Sequence, residues 1–205
     1  MLRRRNYGCS LAFTGRHTNG GRWAITAGHC TGLNTPWGHY GTPIGPARFV
    51  SNPYDGGGGS DSALIRMDNA TWRDAAGGYQ YHGTNSTHIH DVDVAVNFMA
   101  VIEVGDEVCF NGWHTGEGPR HCGIVDIVSD GTAYGLTRVR GYATCFGDSG
   151  GAVLFTIAGS YWAYGIASGS NDGPCPPNGG SGYYTWFEPL PRAHAAWGGV
   201  SVETR

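Results

Sequence analysis

The sequence predicts an all-β fold, either a barrel or a sandwich, and three observations support that prediction. Short apolar runs recur along the chain, and turns rich in glycine, asparagine and aspartate separate them. Long helical periodicity is missing until the segment Leu190 to Trp197, where two prolines accompany a predicted short helix. The strand-like runs are Ala100-Val101-Ile102, Ile124-Val125 with Ile127-Val128, and Ala152-Val153-Leu154-Phe155.

The size and charge of the chain limit its organisation and its partners. A length of 205 residues is enough for a sizeable core and short enough for one structural unit, so we expect a single domain over residues 1–205. We also predict that the protein is a monomer. The net charge of −3 gives no reason to expect nucleic acid or an acidic membrane surface as a partner. No apolar run approaches the length of a membrane span, so the sequence predicts no membrane partner.

Two motifs, far apart in the chain, point to nucleophilic catalysis. They are Gly147-Asp148-Ser149-Gly150-Gly151 and Thr26-Ala27-Gly28-His29-Cys30. An alkyl hydroxyl is a poor nucleophile at neutral pH, so a serine that attacks amides needs a base beside it. Ser149 and His29 are the candidates for these two roles. Glycines around the serine allow a tight turn, in which the amides of Gly147 and Ser149 hold the oxyanion of a tetrahedral intermediate.

The alternative interpretation is that the glycine-rich motif is an ordinary turn in a chain that contains 36 glycines. The histidine motif is an independent signal, because His29 precedes a cysteine directly and follows small residues and the apolar run Trp23-Ala24-Ile25. Since both motifs occur in one chain, the sequence favours a serine peptidase over a simple turn.

With these two motifs the chain resembles the chymotrypsin-like serine peptidases, and within them the secreted bacterial streptogrisin and alpha-lytic group. The resemblance runs nearly from end to end. It covers segments similar to the family's opening strand, aspartate segment, central disulfide hairpin and C-terminal strand and helix. These segments are Gly8 to Phe13, Ser60 to Ile65, Val108-Cys109 to His121-Cys122-Gly123, Trp186 to Leu190, and Ala196 to Val202.

The resemblance implies a fold and an activity. We expect two packed antiparallel six-stranded β-barrels, approximately residues 8–90 and 91–205, with a short C-terminal helix and the site in the cleft between them. The implied enzyme is a secreted endopeptidase that hydrolyses polypeptides through an acyl-enzyme intermediate and uses no cofactor. A pro-region and a protein inhibitor are further partners that the resemblance suggests. The start Met1 to Arg5 is basic like a signal peptide, but no apolar stretch follows it before Cys9.

The third member of the implied triad is a carboxylate, and the resemblance favours Asp61, which precedes the apolar run Ala63-Leu64-Ile65. Asp91 and Asp93 remain alternatives, because they also introduce a strand-like run, Val92 to Val96. The predicted catalytic residues are therefore His29, Asp61 and Ser149.

The six cysteines allow fifteen pairings, so arithmetic leaves their connectivity open. Reduced thiols or a metal site are the alternatives to disulfides, but no pair has CxxC spacing and the cysteines are spread evenly. The segment His88-Ile89-His90-Asp91 also fits an exposed loop or strand edge better than a set of ligands, so we predict no metal. Disulfides would indicate an oxidising compartment. The pairs that the resemblance implies are Cys9 with Cys30, Cys109 with Cys122, and Cys145 with Cys175.

The substrate preference depends on a pocket that the resemblance assigns to Ala143-Thr144-Cys145-Phe146 and Ser168-Gly169-Ser170, with a further wall near Tyr184 and Thr185. A pocket for Lys or Arg needs a buried negative charge, and none of these residues supplies one. Relatives that cut after glutamate carry a histidine where this chain has Ala167. An apolar residue before the cut is therefore the favoured substrate, and glutamate is the alternative.

One position departs from the family pattern. Where close relatives have an arginine that pairs with the aspartate before the nucleophile, this chain has Phe110, so Asp148 needs another partner. The candidates are Arg120, Arg138, Arg140 and the amino group of the chain.

Two other classes of function are weighed against the peptidase. A catalytically inactive homologue would use the fold as a binding module, but such proteins usually lose a triad residue, whereas this chain keeps all three candidates. A non-enzymatic glycine-rich surface protein would not need the pair His29-Cys30. The sequence therefore favours an active peptidase, and labelling by a serine-reactive phosphonate separates the three classes.

Overall fold

Strands dominate the computed structural model of the chain, which describes residues 8–39, 41–56, 59–75, 79–81, 89–91, 102–112, 121–129, 134–157, 160–171 and 182–203. The described strands form a six-stranded sheet, a closed six-stranded barrel and a two-stranded hairpin, and all pairs are antiparallel. This architecture confirms the predicted all-β class.

The six-stranded sheet comes mainly from the first third of the chain. Its strands are β1 (Phe13–His17), β2 (Arg22–Thr26), β3 (Pro36–His39), β4 (Thr42–Ser51), β5 (Ser62–Arg66) and, near the other end of the chain, β14 (Val200–Val202). Their order in the sheet is β14-β1-β2-β5-β4-β3. Because β14 pairs with β1, the segment after the barrel returns to the first sheet.

The closed barrel forms the second unit. Its strands are β8 (Glu107–Asn111), β9 (Cys122–Ile127), β10 (Thr137–Arg140), β11 (Ala152–Ile157), β12 (Ser160–Ser170) and β13 (Tyr184–Pro189). Their order is β10-β13-β12-β11-β8-β9, and the barrel closes because β9 pairs with β10. The remaining strands, β6 (Tyr79–Tyr81) and β7 (Ile89–Asp91), form the hairpin, and the predicted division between residues 90 and 91 falls within β7.

The described chain contains two short α-helices. The helix α2 (Leu190–Ala196) agrees with the predicted C-terminal helix. The helix α1 (Ala70–Ala75) was not predicted, because six residues are too few to show helical periodicity. Asn69 starts it by accepting the backbone N–H of Thr71 at 2.9 Å. Neither described helix has the length and apolar character that crossing a membrane would require.

Buried apolar side chains form three groups. One lies inside the barrel, and another lies within the first sheet. The largest group draws members from both units and from α2, including Ile25, Leu64, Ile166, Leu190 and Trp197. This shared core packs the sheet against the barrel.

Candidate active site

His29 and Asp61 lie side by side because their neighbouring strands pair. His29 lies in the 3₁₀ turn Gly28–Cys30 after β2, and Asp61 immediately precedes β5. These antiparallel strands pair Thr26 with Ala63, so the end of β2 meets the start of β5. His29 Nδ1 is 2.8 Å from Asp61 Oδ2, and the backbone N–H of His29 donates to Asp61 Oδ1 at 2.9 Å. The aspartate therefore orients both the backbone and the ring of the histidine.

Asp61 is a buried carboxylate that stays acidic. Its exposed fraction is 0%, and burial alone would raise its pKa. Hydrogen bonds from His29 and from the Ser168 hydroxyl, together with the attraction of His29, outweigh burial and hold the pKa of Asp61 below its ordinary value. Asp61 is therefore ionised at neutral pH, as an imidazole-orienting group must be.

An ion pair between a buried carboxylate and a partly exposed arginine lies behind Asp61. Glu188 of β13 has an exposed fraction of 0%, and its Oε2 accepts the backbone N–H of Asp61 at 2.9 Å. Arg192 of α2 donates to Oε1 at 2.8 Å and to Oε2 at 2.5 Å. Burial outweighs these hydrogen bonds and raises the pKa of Glu188 above its ordinary value. Sequence analysis missed both residues, although an acidic residue next to the apolar pair Trp186-Phe187 was a usable signal.

The turn at Ser149 leaves two amides unused. Gly147 and Gly150 have φ angles of +99° and +82°, which glycine adopts without strain. The amides of the other three residues of the motif each donate to a backbone carbonyl at 2.8 to 3.0 Å. The N–H groups of Gly147 and Ser149 donate to no acceptor within the described part of the chain. Two unused amides on either side of Asp148 are what the oxyanion-hole prediction requires.

Ser10 holds this turn against the first sheet. Its Oγ donates to the Gly147 carbonyl at 2.8 Å, and its backbone N–H donates to the Ser149 carbonyl at 2.7 Å. Thr26 Oγ1 donates in turn to the Ser10 carbonyl at 2.7 Å. A Cβ atom at Gly150 would lie 2.1 Å from Thr26 Oγ1, so this approach requires glycine. Sequence analysis did not identify Ser10, because a lone serine near the start carries no motif.

Ser168 contacts both halves of the site from a β-bulge. The pairing of β12 with β13 shifts between Ala167 and Gly169, and such a bulge leaves its residue free to turn its side chain out of the ladder. Ser168 Oγ donates to Asp61 Oδ2, and its carbonyl accepts the hydroxyl of Ser149 at 3.3 Å. Sequence analysis predicted Ser168 as a pocket wall and missed its contact with Asp61.

The candidate nucleophile and base are not hydrogen-bonded to each other in this structure. Ser149 Oγ donates to the Ser168 carbonyl, and His29 Nε2 lies 3.9 Å from Cys30 Sγ. Catalytic hydrogen bonds often tighten only when substrate binds. Proton transfer therefore requires Ser149 Oγ to leave the carbonyl of Ser168 and to donate to His29 Nε2.

Hydrogen bonds join the predicted pocket segments. Ser170 Oγ donates to the Thr144 carbonyl at 2.8 Å, and the Thr144 N–H donates to Thr185 Oγ1 at 2.9 Å. Thr185 Oγ1 donates to the Tyr142 carbonyl at 3.0 Å. The Phe146 side chain is 59% exposed. The pocket segments are thus cross-linked by hydroxyl groups.

Two small residues complete the predicted lining. Ala143 is fully buried, and among the described residues no atom beyond the chain neighbours of Gly169 lies within 4 Å of the place where its Cβ would stand. The predicted pocket residues therefore offer apolar surface and hydroxyl groups and no charge.

Two of the predicted disulfides lie within the described residues, and both are formed. Cys9–Cys30 joins residues 21 apart, and Cys109–Cys122 joins residues 13 apart. Cys175, the predicted partner of Cys145, lies outside the described residues. The first disulfide ties the segment of Ser10 to the residue after the candidate base.

The described residues contain one group with metal-ligand side chains close together, Cys9, His29 and Cys30. The two sulfur atoms of this group are bonded to each other, so they supply no thiolate to a metal. Of the two alternatives for the triad carboxylate, Asp91 ends β7 and Asp93 lies outside the described residues.

Asp148 is buried and accepts a backbone hydrogen bond at 2.8 Å. Among its predicted partners, Arg138 makes two hydrogen bonds to Asp126, at 3.0 and 2.8 Å. Arg140 is exposed. Arg120 and the amino group of the chain lie outside the described residues.

No family model matches the chain, but three curated proteins are similar to it. Serine protease 1 of Streptomyces fradiae is 33% identical in an alignment of 200 residues, and that alignment covers 93% of the chain and 48% of that protein. Streptogrisin-A of Streptomyces griseus is 31% identical over 190 residues, which are 93% of the chain and 55% of that protein. The chain spans about half the length of these two relatives. Serine protease 2 of Streptomyces fradiae is 32% identical in an alignment of 174 residues, and that alignment covers 83% of the chain and 91% of that protein.

Solved structures agree with this relationship. A Nocardiopsis protease superposes on the chain with a TM-score of 0.71 at 23% sequence identity. The superposition covers 96% of this chain and 93% of the Nocardiopsis protease, and it shows that the two share a fold. An alpha-lytic protease homologue, N4, superposes with a TM-score of 0.61 at 26% sequence identity, and the superposition covers 93% of this chain and 90% of the homologue. The chain therefore belongs to the chymotrypsin-like serine proteases, in the group of the streptogrisins and alpha-lytic protease.

Proposed function

We propose that the chain is a serine endopeptidase in which Ser149 is the nucleophile, His29 the general base and Asp61 the residue that orients the imidazole. One observation carries the proposal: His29 Nδ1 lies 2.8 Å from a carboxylate that is fully buried and held ionised. The family relationship supports the same activity.

In the first half of the reaction, Ser149 Oγ attacks the carbonyl carbon of the peptide and its proton passes to His29 Nε2. The oxyanion that forms accepts hydrogen bonds from the amides of Gly147 and Ser149. Asp61 stabilises the imidazolium without taking its proton. The carbon–nitrogen bond then breaks, and His29 donates the proton to the leaving amine, which leaves an acyl group on the serine.

In the second half, His29 takes a proton from water, and the resulting hydroxide attacks the acyl carbon through the same oxyanion intermediate. Collapse of the intermediate breaks the ester bond and releases the acid, while His29 returns the proton to Ser149 Oγ. Because the base must begin as neutral imidazole, we expect kcat/KM to rise with pH along the acid side of its profile. A profile that peaks near pH 4 would instead indicate a carboxylate mechanism.

The proposed substrates are polypeptides with an apolar residue before the cut. The uncharged lining between Thr144 and Ser170 supports this preference, because Lys or Arg would lose its hydration there without a counter-charge. The two disulfides support a place of action in an oxidising compartment, outside the cell. A pro-region, a protein inhibitor and a monomeric state remain predictions.

The experiment that tests the activity is labelling of the full chain with a peptidyl phosphonate, followed by mass spectrometry of the modified peptide. We expect one label, on Ser149, and none on Ser149→Ala. Turnover of a peptide p-nitroanilide should fall by about 10⁴-fold or more in Ser149→Ala and in His29→Ala. If Ser149→Ala kept a tenth of the activity, the assignment would be wrong. A folded wild-type chain without labelling or turnover would identify an inactive homologue.

A further inference from the structure

Tyr54 stands beside the proposed triad on a turn fixed by hydrogen bonds. It lies in the 3₁₀ turn Pro53–Asp55, shortly after β4. Asn52 Oδ1 accepts the backbone N–H of Tyr54 at 3.1 Å, and Asn52 Nδ2 donates to Asp55 Oδ2 at 2.8 Å. The Tyr54 side chain is 44% exposed, so its turn, more than a surrounding core, sets its position.

The Tyr54 hydroxyl begins a directed chain of hydrogen bonds that ends on Asp61. Tyr54 OH lies 2.7 Å from Ser168 Oγ, and Ser168 Oγ donates to Asp61 Oδ2. An ionised carboxylate only accepts, so Ser168 uses its proton on Asp61 and accepts from Tyr54. The carboxylate oxygen at the end of this chain is the same Oδ2 that contacts His29 Nδ1.

We propose that Tyr54 is a positioning residue of the catalytic triad, which acts on Asp61 through the hydroxyl of Ser168. The inference rests on the proposed peptidase function. Consecutive hydrogen bonds polarise one another, so donation by Tyr54 makes Ser168 a stronger donor to Asp61. Tyr54 follows a strand of the first sheet and Ser168 belongs to the barrel, so this hydrogen bond also joins the two units at the triad.

The ring of Tyr54 makes separate contacts. It meets the His29 ring edge to face, with centroids 5.7 Å apart and an interplanar angle of 81°. It also packs against the Tyr134 ring at 4.9 Å. A phenylalanine would keep both ring contacts and lose the hydroxyl alone. The hydroxyl can therefore be tested apart from the ring.

The direction of the effect on the pH profile follows from the surrounding charges. Asp61 faces His29, and Glu188 with Arg192 lies behind Asp61. Tyr54→Phe leaves these charges in place and weakens only the donor on Asp61 Oδ2. The charge of the carboxylate is then less dispersed and attracts protonated histidine more strongly. The acid limb of kcat/KM should move to higher pH.

The test is a double-mutant cycle of Tyr54→Phe and Ser168→Ala in the full chain, with active sites counted by phosphonate titration. That titration restricts each kcat to folded, reactive molecules. We expect Tyr54→Phe to lower kcat about fivefold, the factor that one net hydrogen bond supplies. KM should stay within about twofold, and the acid limb should rise by a few tenths of a pH unit. In the Ser168→Ala background, Tyr54→Phe should have no further effect on kcat.

Three results would overturn the proposal: an unchanged Tyr54→Phe enzyme, an effect confined to KM, or a full effect that persists when Ser168 is alanine. The last two would make Tyr54 a wall of the substrate cleft. Tyr134→Phe is the matched control, since it removes a hydroxyl from the adjacent ring, and it should leave the acid limb in place. Failure of the peptidase function itself is distinguishable, because the wild type would then neither react with phosphonate nor turn over.

Discussion

Glu188 accepts the backbone N–H of Asp61 at 2.9 Å, so a buried carboxylate supports the proposed triad aspartate from behind. Arg192 holds that carboxylate from helix α2. The C-terminal helix is thereby connected to the site through two side chains. Like charges face each other across this contact, and the charge of Asp61 contributes to the raised pKa of Glu188, after the larger effect of burial.

For turnover, the oxygen of residue 188 that accepts the N–H of Asp61 should matter more than the negative charge of Glu188. Glu188→Gln keeps an oxygen for the N–H of Asp61, so we expect kcat/KM to stay within about threefold of wild type. Glu188→Leu leaves that buried N–H without its acceptor and should lower kcat/KM by about tenfold or more. Both variants are compared by p-nitroanilide kinetics after active-site titration. Equal activity of the leucine and glutamine variants would contradict this role.

The pH dependence of stability should reveal the raised pKa of Glu188. Below the ordinary glutamate pKa, the carboxyl is protonated in the folded and unfolded states alike. As pH rises, the unfolded state ionises first, so wild type loses stability until pH passes the raised folded pKa. Glu188→Gln lacks this loss. Its unfolding temperature relative to wild type should therefore increase from pH 4 to 8, measured by calorimetry in a Ser149→Ala background to prevent autolysis. A constant or shrinking difference would contradict the prediction.

The residues that sequence analysis identified each belong to a local motif. His29 and Ser149 belong to short, diagnostic sequence motifs. The family resemblance pointed to Asp61, which the structure places against His29. Asp61 lies against His29 because β2, which precedes His29, pairs with β5, which follows Asp61.

The residues that sequence analysis missed make contacts with residues far away in the sequence. Glu188 and Asp61 are 127 positions apart, and Tyr54 and Ser168 are 114 apart. Such contacts depend on how the sheet packs on the barrel, and hydrophobic periodicity does not encode that packing. Ser10 is similar, because its contact with the Gly147 carbonyl spans 137 positions.

Asp61→Asn should lower kcat by about 10⁴-fold, because an amide favours the wrong imidazole tautomer of His29. The matched control is Asp68→Asn, an exposed carboxylate that pairs with Arg66 and should leave kcat unchanged. Full activity of Asp61→Asn would move the assignment to Asp91 or Asp93. Kinetics on the same p-nitroanilide substrate decide between these outcomes.

Removal of the Cys9–Cys30 disulfide should affect both stability and turnover. The double alanine variant should lose about 3 kcal/mol of unfolding free energy, as expected for a loop of this size. It should also lose kcat, because Ser10 and His29 are adjacent to the two cysteines. The double alanine variant of Cys109–Cys122 is the control, with a similar loss of stability and a smaller change in kcat. Equal kcat losses in the two variants would show that the first disulfide has no special connection to the site.

The last prediction concerns the hydrogen bond from Ser170 Oγ to the Thr144 carbonyl, which spans the proposed pocket. A serine side chain takes up space that glycine leaves open, so Ser170→Gly should raise kcat/KM for Phe or Tyr before the cut, relative to Leu, by a factor of roughly ten. Neither the wild type nor Ser170→Gly should cleave well after Lys or Arg, since the substitution adds no negative charge to the pocket. A series of peptide p-nitroanilides that differ in this one residue measures the ratios, and the wild type should prefer Leu, Met, Phe or Tyr. A higher wild-type kcat/KM after Glu, Lys or Arg than after every apolar residue would contradict the proposed apolar preference of the pocket. An unchanged ratio of kcat/KM for Phe to that for Leu in Ser170→Gly would contradict the proposal that Ser170 disfavours large rings.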